Sequence, residues 1–316
     1  VRVTIGTWNL ENLFRPGEPD GPEDDQSYRA KLAALAAAIT EFEPDLLGVQ
    51  EVGNPDALAD LVDLLDGEWH IALSAHPDGR GIRVGFLGRT PLTTIADVTA
   101  FPARFAPVQT QDTGVPVGAM GRGGLAVTLE PVPGRTLTAA VCHLKSKLLG
   151  YPGNRHAPRD EGERARYAAY ALWRRGAEAA TMRALADRLL ADDGRTHDVV
   201  VMGDLNDQPQ AATTQILYGP PGSQIGTPGF DRPDRGDATR LWNLAPLIPE
   251  EQRFSRVFEG QVELIDHILV SHALLARVDT VTTGTGHTLS SVTDQPAERQ
   301  GRPGSDHAPV VARLTY

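Results

Sequence analysis

The chain has one cysteine, Cys142, in 316 residues. A single thiol closes no internal disulfide, so neither a cross-linked scaffold nor an oxidising compartment is implied. Set in an apolar run beside His143, Cys142 reads as a buried structural thiol. Long apolar runs are missing too. None nears the ~18 residues that cross a bilayer, so stable membrane insertion is not expected. The start of the chain lacks the features of a secretory leader, because Val1, Val3 and Ile5 alternate as a strand does. This favours a cytoplasmic location and leaves open secretion after a leader has been removed. Positive charge is scarce: 30 Lys and Arg stand against 41 Asp and Glu, a formal net charge of −11. That balance opposes strong attraction to nucleic acid or anionic membrane, although a local basic patch can act inside an acidic chain.

What is present is the makeup of an ordinary globular protein, 41% hydrophobic and 22% charged. No linker or internal repeat divides it, so residues 1–316 read as a single domain. Strand-like apolar segments run over residues 1–9, 46–49, 81–87, 125–129, 137–143, 199–202, 262–270 and 309–314. Tyr28, Leu32, Leu35, Ala36 and Ile39 follow helical spacing, and Pro44 limits that helix. A long helix is predicted over 161–190 and a shorter one over 58–65. Residues 15–26, 100–121 and 218–240, rich in Pro and Gly, read as loops. So many strands with so few helices fit two packed sheets with helices outside them.

Several strands run out of their apolar residues into polar ones. Val1, Val3, Ile5, Thr7 and Asn9 share a face, so Asn9 continues a core row past the core. Glu51 follows its strand in the same way. An amide oxygen beside a carboxylate suits a hard cation such as Mg²⁺, and Glu11 offers a second carboxylate. His143 ends the row Leu137, Ala139, Val141, and Lys145 and Lys147 follow it, a pattern suited to phosphate. Asp204 and Asn206, two apart after Val199–Met202, point the same way. Asp can take a proton from water and Asn can donate to an oxyanion; a plain turn is the alternative. Asp266 lies in the row Val262, Leu264, Asp266, Ile268, Val270. A buried carboxylate there needs a partner. His307, in Ser305-Asp306-His307, is the candidate, and an arginine ion pair is the alternative.

Taken in order, these pieces resemble the endonuclease/exonuclease/phosphatase superfamily over nearly the whole chain. The motifs are Thr7-Trp8-Asn9-Leu10-Glu11, Gly48-Val49-Gln50-Glu51, His143, Gly203-Asp204-Leu205-Asn206 (Leu where the family has Phe), Ile265-Asp266-His267-Ile268 and Ser305-Asp306-His307. His143 is similar to the phosphate-contacting histidine of the deoxyribonuclease and sphingomyelinase branches. The resemblance implies a four-layer α/β sandwich, two packed mixed β-sheets flanked by helices. It implies Mg²⁺ or Mn²⁺ held by Glu51 and Asn9, with Glu11 or Asp306 as further ligands. It implies that Asp204 activates water, that Asn206, His143 and His307 stabilise charge on the phosphoryl oxygens, and that Asp266 orients His307. Arg122, in Gly121-Arg122-Gly123-Gly124, resembles a substrate-contacting arginine of the deoxyribonuclease branch.

Arg155, Arg159, Arg164, Arg166, Arg174, Arg175 and Arg183 crowd the segment after His143, with His156 among them. Two readings stand: a solvated helix laced with local ion pairs, or a phosphate clamp in which Arg164, Arg175 and Lys145 touch substrate. The expected activity is hydrolysis of a phosphoester, with a small substrate preferred to nucleic acid. A catalytically silent binding module is disfavoured, because each reactive position keeps a competent side chain.

Overall fold

A computed structural model describes residues 1–153, 155–284 and 289–316. In chain order its elements are β1 (Arg2–Leu13), α1 (Asp25–Phe42), β2 (Leu46–Val52), α2 (Pro55–Val62), β3 (His70–Leu73), β4 (Arg83–Gly88), β5 (Thr93–Ala100), β6 (Ala119–Val132), β7 (Arg135–His143), α3 (Glu161–Leu190), β8 (Asp198–Asp204), β9 (Trp242–Asn243), β10 (Arg256–Phe258), β11 (Gln261–Glu263), β12 (Asp266–Val270), β13 (Val278–Thr283) and β14 (Val310–Thr315). Short single-turn helices join some of them.

One six-stranded sheet has the order β13-β14-β1-β2-β4-β3, and the other β5-β6-β7-β8-β12-β9. Each contains a parallel pair joined through a helix: β1 and β2 through α1, β7 and β8 through α3. Parallel neighbours need such a crossover, which leaves the helix on the outer face. The helices start where the sequence supplies caps. Asp24 accepts the Ser27 N–H before α1, Asn54 caps α2 with Pro55 behind it, and Asp160 caps α3.

The strands' two-residue periodicity sorts side chains into layers. Val3, Ile5, Leu46, Phe86, Leu137, Val141, Val200, Met202, Ile268 and Ala312 face the other sheet and form the central core. Trp8, Leu10, Leu47 and Val49 face α1 and α2. Ala140, Cys142, Val199 and Val201 face α3. The result is helix, sheet, sheet, helix, the sandwich expected from the sequence. Gly48 allows the sheets to approach closely, since a Cβ there would sit 2.8 Å from Met202 Sδ.

The expected strand at 262–270 is two pieces. β11 forms a hairpin with β10, Val262 is 59% exposed, and only from Asp266 does the chain pair with β8. At the break, Ser255 Oγ accepts the N–H groups of Ile265 and Asp266 in place of a ladder partner. The short helix begins at Pro55 rather than 58. The strands β3, β5, β9, β10 and β13 were not expected. Among the described residues, no helix is long and apolar enough to cross a membrane.

Candidate active site

Sheet register brings three side chains into a row at one end of the second sheet. His143 in β7 is paired with Asp204 in β8, and Asp204 with Asp266 in β12. All three continue core-facing rows, so they point between the sheets. Opposite them, β1 supplies Asn9. Glu51 reaches the same cleft by another route. Leu47 and Val49 face the helices, and strict alternation would send Glu51 after them. Its left-handed backbone, φ 60°, coincides with a register shift in β2 and turns the carboxylate inward. Glu11, Asn12 and Asn206 also have φ near +50°. Left-handed backbone at non-glycine residues is costly, and among the described residues four of the eight such positions gather around this cleft. Gly203 has φ 143°, and a Cβ there would collide with the Cys142 carbonyl oxygen. This close contact between β7 and β8 explains the glycine before Asp204.

The side chains interlock. Asn9 Nδ2 donates to Glu51 Oε1 at 3.2 Å and to Asp204 Oδ2 at 3.0 Å, while its oxygen accepts the Glu11 N–H. Glu51 Oε2 accepts the Asn12 N–H at 2.9 Å. His143 Nε2 lies 3.3 Å from Asp204 Oδ2 and 4.0 Å from Glu51 Oε1. His307 Nδ1 and Asp266 Oδ2 are 2.7 Å apart, and His307 Nε2 is 4.0 Å from Asp204 Oδ2. The serine of Ser305-Asp306-His307 fixes this corner: its hydroxyl donates to the Asn9 carbonyl and accepts the His307 N–H. Trp8 Nε1 donates to the His307 carbonyl.

Burial gives these groups unusual proton affinities. Asp204 is pushed up to about 7, by burial first and the charge of Asp266 second, with His307 opposing. His143 is held well below its ordinary value by burial and then by nearby cations, Arg122 foremost, so its ring is neutral. Burial also opposes charge on His307, but the carboxylates of Asp266 and Asp306 outweigh it and raise the ring to about 10. Two buried histidines are thus driven apart, one neutral and one cationic.

The sequence profile of the Endonuclease/Exonuclease/phosphatase family matches residues 6–307. The chain belongs to this family. No curated protein sequence matches it. Solved structures show the same fold at low identity. Truncated TDP2 from Caenorhabditis elegans is 16% identical with a TM-score of 0.57, covering 100% of this chain and 98% of that one. The mannosyl-6-phosphatase of Bacteroides thetaiotaomicron is 15% identical with a TM-score of 0.58, covering 99% and 100%. The human Nocturnin catalytic domain is 15% identical with a TM-score of 0.55, covering 99% and 94%.

In this member of the endonuclease/exonuclease/phosphatase family, Asn9, Glu51, His143, Asp204, Asp266 and His307 come together as described. Asp204, Asp266 and His307 offer atoms all within 4.8 Å of one another, close enough to share an ion. Asn206 lies beside them in a turn: its N–H donates to Asp204 Oδ1, and its Nδ2 donates to the Leu144 carbonyl. The turn foreseen as an alternative is therefore present together with the cluster.

Other expected residues are engaged elsewhere. Both Glu11 oxygens accept from Arg299, at 2.9 and 2.8 Å, and one also accepts the Asp306 N–H, so Glu11 is already held in an ion pair. Asp306 faces Arg256 at 3.4 Å. Arg122 pairs with Asp78 at 3.0 Å. Lys145 Nζ donates to the carbonyls of Ser146 and Leu148, and burial lowers it to about 8. The arginines expected to clamp phosphate are paired within the protein. Arg164 pairs with Glu161 one turn away in solvent, and Arg175 is buried against Asp207 and the Lys145 carbonyl. A helix offers carboxylates at i,i+3 and i,i+4, and the guanidinium groups take them.

The sequence reading did not single out Lys31 and Arg299, which sit against Glu11. Lys31 had a visible signal, since it falls on the buried stripe of α1 between Tyr28 and Leu32. Arg299 had none, because its contact with Glu11 spans 288 residues.

Proposed function

We propose that this protein hydrolyses a phosphoester by water activated at Asp204, with a divalent cation at the Glu51 side of the cleft. The carrying observation is the coupled set Asn9–Asp204–His307–Asp266, in which a buried carboxylate of raised proton affinity lies 4.0 Å from a buried histidine cation. Asn9 holds Asp204 by its amide, so Asp204 can accept the water's proton in a fixed orientation. His307 carries a proton at Nε2 that can meet charge developing on a phosphoryl oxygen, and Asp266 holds the ring and its charge. His143, neutral and 3.3 Å from Asp204, can hydrogen-bond a phosphoryl oxygen without adding charge.

The donor set fits a hard cation. Glu51, Asp204 and Asp266 are carboxylates facing one buried cationic ring, and Asp266 Oδ1 has no hydrogen-bond partner among the described residues. Uncompensated buried charge of one sign is costly, and oxygen donors suit Mg²⁺ or Mn²⁺. Glu51 would hold the ion, which leaves Asp204 to accept the water's proton. His307 is the poorer ligand, since its Nδ1 is committed to Asp266 and a protonated Nε2 has no lone pair. When bound, such an ion supplies charge neutralisation on the phosphoryl group.

The substrate we favour is small. A nuclease that grips many phosphates needs a long row of free cations, whereas Arg155, Arg164, Arg166, Arg174 and Arg183 each face a carboxylate. One fold relative is by name a phosphatase of a sugar phosphate, and fold likeness alone does not assign a substrate. The test is hydrolysis of bis(p-nitrophenyl) phosphate and of sugar phosphates with Mg²⁺ or Mn²⁺, with and without excess chelator. Turnover that persists in chelator with metal-free protein, or that Asp204→Asn leaves intact, refutes the proposal. Tight duplex DNA binding with a steep salt dependence would make nucleic acid the leading substrate.

A further inference from the structure

Beside the catalytic cleft lies a cavity of about 140 Å³ that the hydrolytic scheme does not use. Lys31, Arg80, Arg299 and Arg302 line it, against two carboxylates, Glu11 and Asp20. In a chain of net charge −11, such a surplus of cations calls for an explanation. The walls are built rather than incidental. Gln300 Nε2 donates to the Gly21 carbonyl, which ties the 299–302 loop to the 15–26 loop. Lys31, buried on α1, donates to the Gly304 carbonyl at 2.7 Å. Arg80 donates to Asn12 Oδ1 at 2.6 Å and pairs with Asp20 at 3.1 Å. Arg299 is held by Glu11, while Arg302 is exposed at the rim and meets no carboxylate among the described residues.

The cavity adjoins the catalytic groups through Glu11, whose N–H donates to Asn9, and through Asn12. The Asn12 side chain lines it, and the Asn12 N–H donates to Glu51. A substrate with its reacting phosphorus at Glu51 and Asp204 therefore passes a cationic recess next to the reacting centre. We propose that this recess binds a second phosphate of the substrate, gripped at the rim by Arg302, which meets no carboxylate among the described residues, with Arg80, Lys31 and Arg299 supplying positive field around it. The substrate class is then a small molecule carrying two phosphate groups, of which one is cleaved and one is gripped. Arginine forks suit the second group, since they meet phosphate oxygens two at a time. This assignment rests on the phosphoesterase reading above.

Two measurements separate the pocket from that reading. The first is calorimetric titration of inorganic phosphate into the protein in excess chelator, where the carboxylate-lined catalytic centre repels anions. One saturable site is expected, at least ~10-fold weaker in the Arg80→Gln, Arg302→Ala double variant, about the scale of one lost charge-assisted contact. Asp204→Asn should keep the site. Absence of binding in the wild type, or equal affinity in the double variant of unchanged melting temperature, overturns the proposal. The second compares a sugar bisphosphate with its monophosphate. The double variant should raise KM for the bisphosphate at least ~10-fold more than for the monophosphate, and an equal rise for both overturns the subsite. If the wild type turns over neither compound, nor bis(p-nitrophenyl) phosphate, the hydrolytic reading fails, and the phosphate titration still decides whether the recess binds phosphate.

Discussion

The strand ends at the cleft and the arginine-rich face of α3 both concentrate charge, and they handle it in opposite ways. On α3, Arg164, Arg174 and Arg183 pair with Glu161, Glu178 and Asp187 within a turn, and Arg166 reaches Asp112 on the neighbouring loop. Where both partners are exposed, as in Arg164–Glu161, such a pair is individually replaceable, because water solvates the survivor. At the cleft, Asp204 and its neighbours Asn9, His143, Asp266 and His307 are drawn from five different strands or strand ends, and all five are buried. Local pairing makes charge inert. Register-forced pairing in a buried site couples protonation states, and chemistry needs that coupling.

This contrast can be broken most directly at Asp204. Asp204→Asn keeps the shape and removes the proton acceptor, so kcat should fall by ~10³-fold, within the usual range for acid–base groups. Steady-state rates on bis(p-nitrophenyl) phosphate measure it, and a loss under threefold would remove Asp204 from the mechanism.

Coupling itself is tested by a double-mutant cycle. Asp266→Asn and His307→Ala should each lower kcat by ~10²-fold, and together by little more than either alone, because they act as one unit. Losses that multiply would show the two residues acting independently.

Arg175 lies between the two regions, on α3 but buried. Arg175→Ala leaves Asp207 with Lys147 at 3.7 Å and the Thr213 hydroxyl as partners, so stability should fall by about 1–3 kcal/mol. Urea unfolding gives the value, and an unchanged midpoint accompanied by a raised KM would return Arg175 to substrate binding.

The histidine pair also predicts a pH signature. The His307 ring has its proton affinity raised in the fold to about 10, from an ordinary 6.5. Its contribution to stability is therefore full below about pH 6.5 and is lost as pH rises through about 10. Between pH 7 and 10 the urea midpoint should fall more steeply in the wild type than in Asp266→Asn. Parallel curves would mean that His307 is neutral in the folded protein.

The smallest effect belongs to the helix surface. Arg164→Ala should change neither melting temperature nor KM measurably, and a KM rise of threefold or more would reinstate the arginine clamp.

The sequence by itself determined the layers and most of the cluster. Alternation in β1, β7 and β8 carries Asn9, His143 and Asp204 beyond the ends of apolar rows, and a period of two leaves them no other face. The buried position of Asp266 follows from its apolar neighbours, and its need for a partner follows from the cost of an isolated charge. Tertiary structure decided the rest, for reasons that no local pattern encodes. Glu51 turns into the cleft because of one left-handed residue against the alternation of its strand. Glu11 is paired with Arg299, 288 residues away. The α3 arginines could be read as a clamp or as a solvated face, and only the fold shows which carboxylate each one faces. Periodicity fixes which way a side chain points, but which charge meets which depends on the packing of segments far apart in the chain.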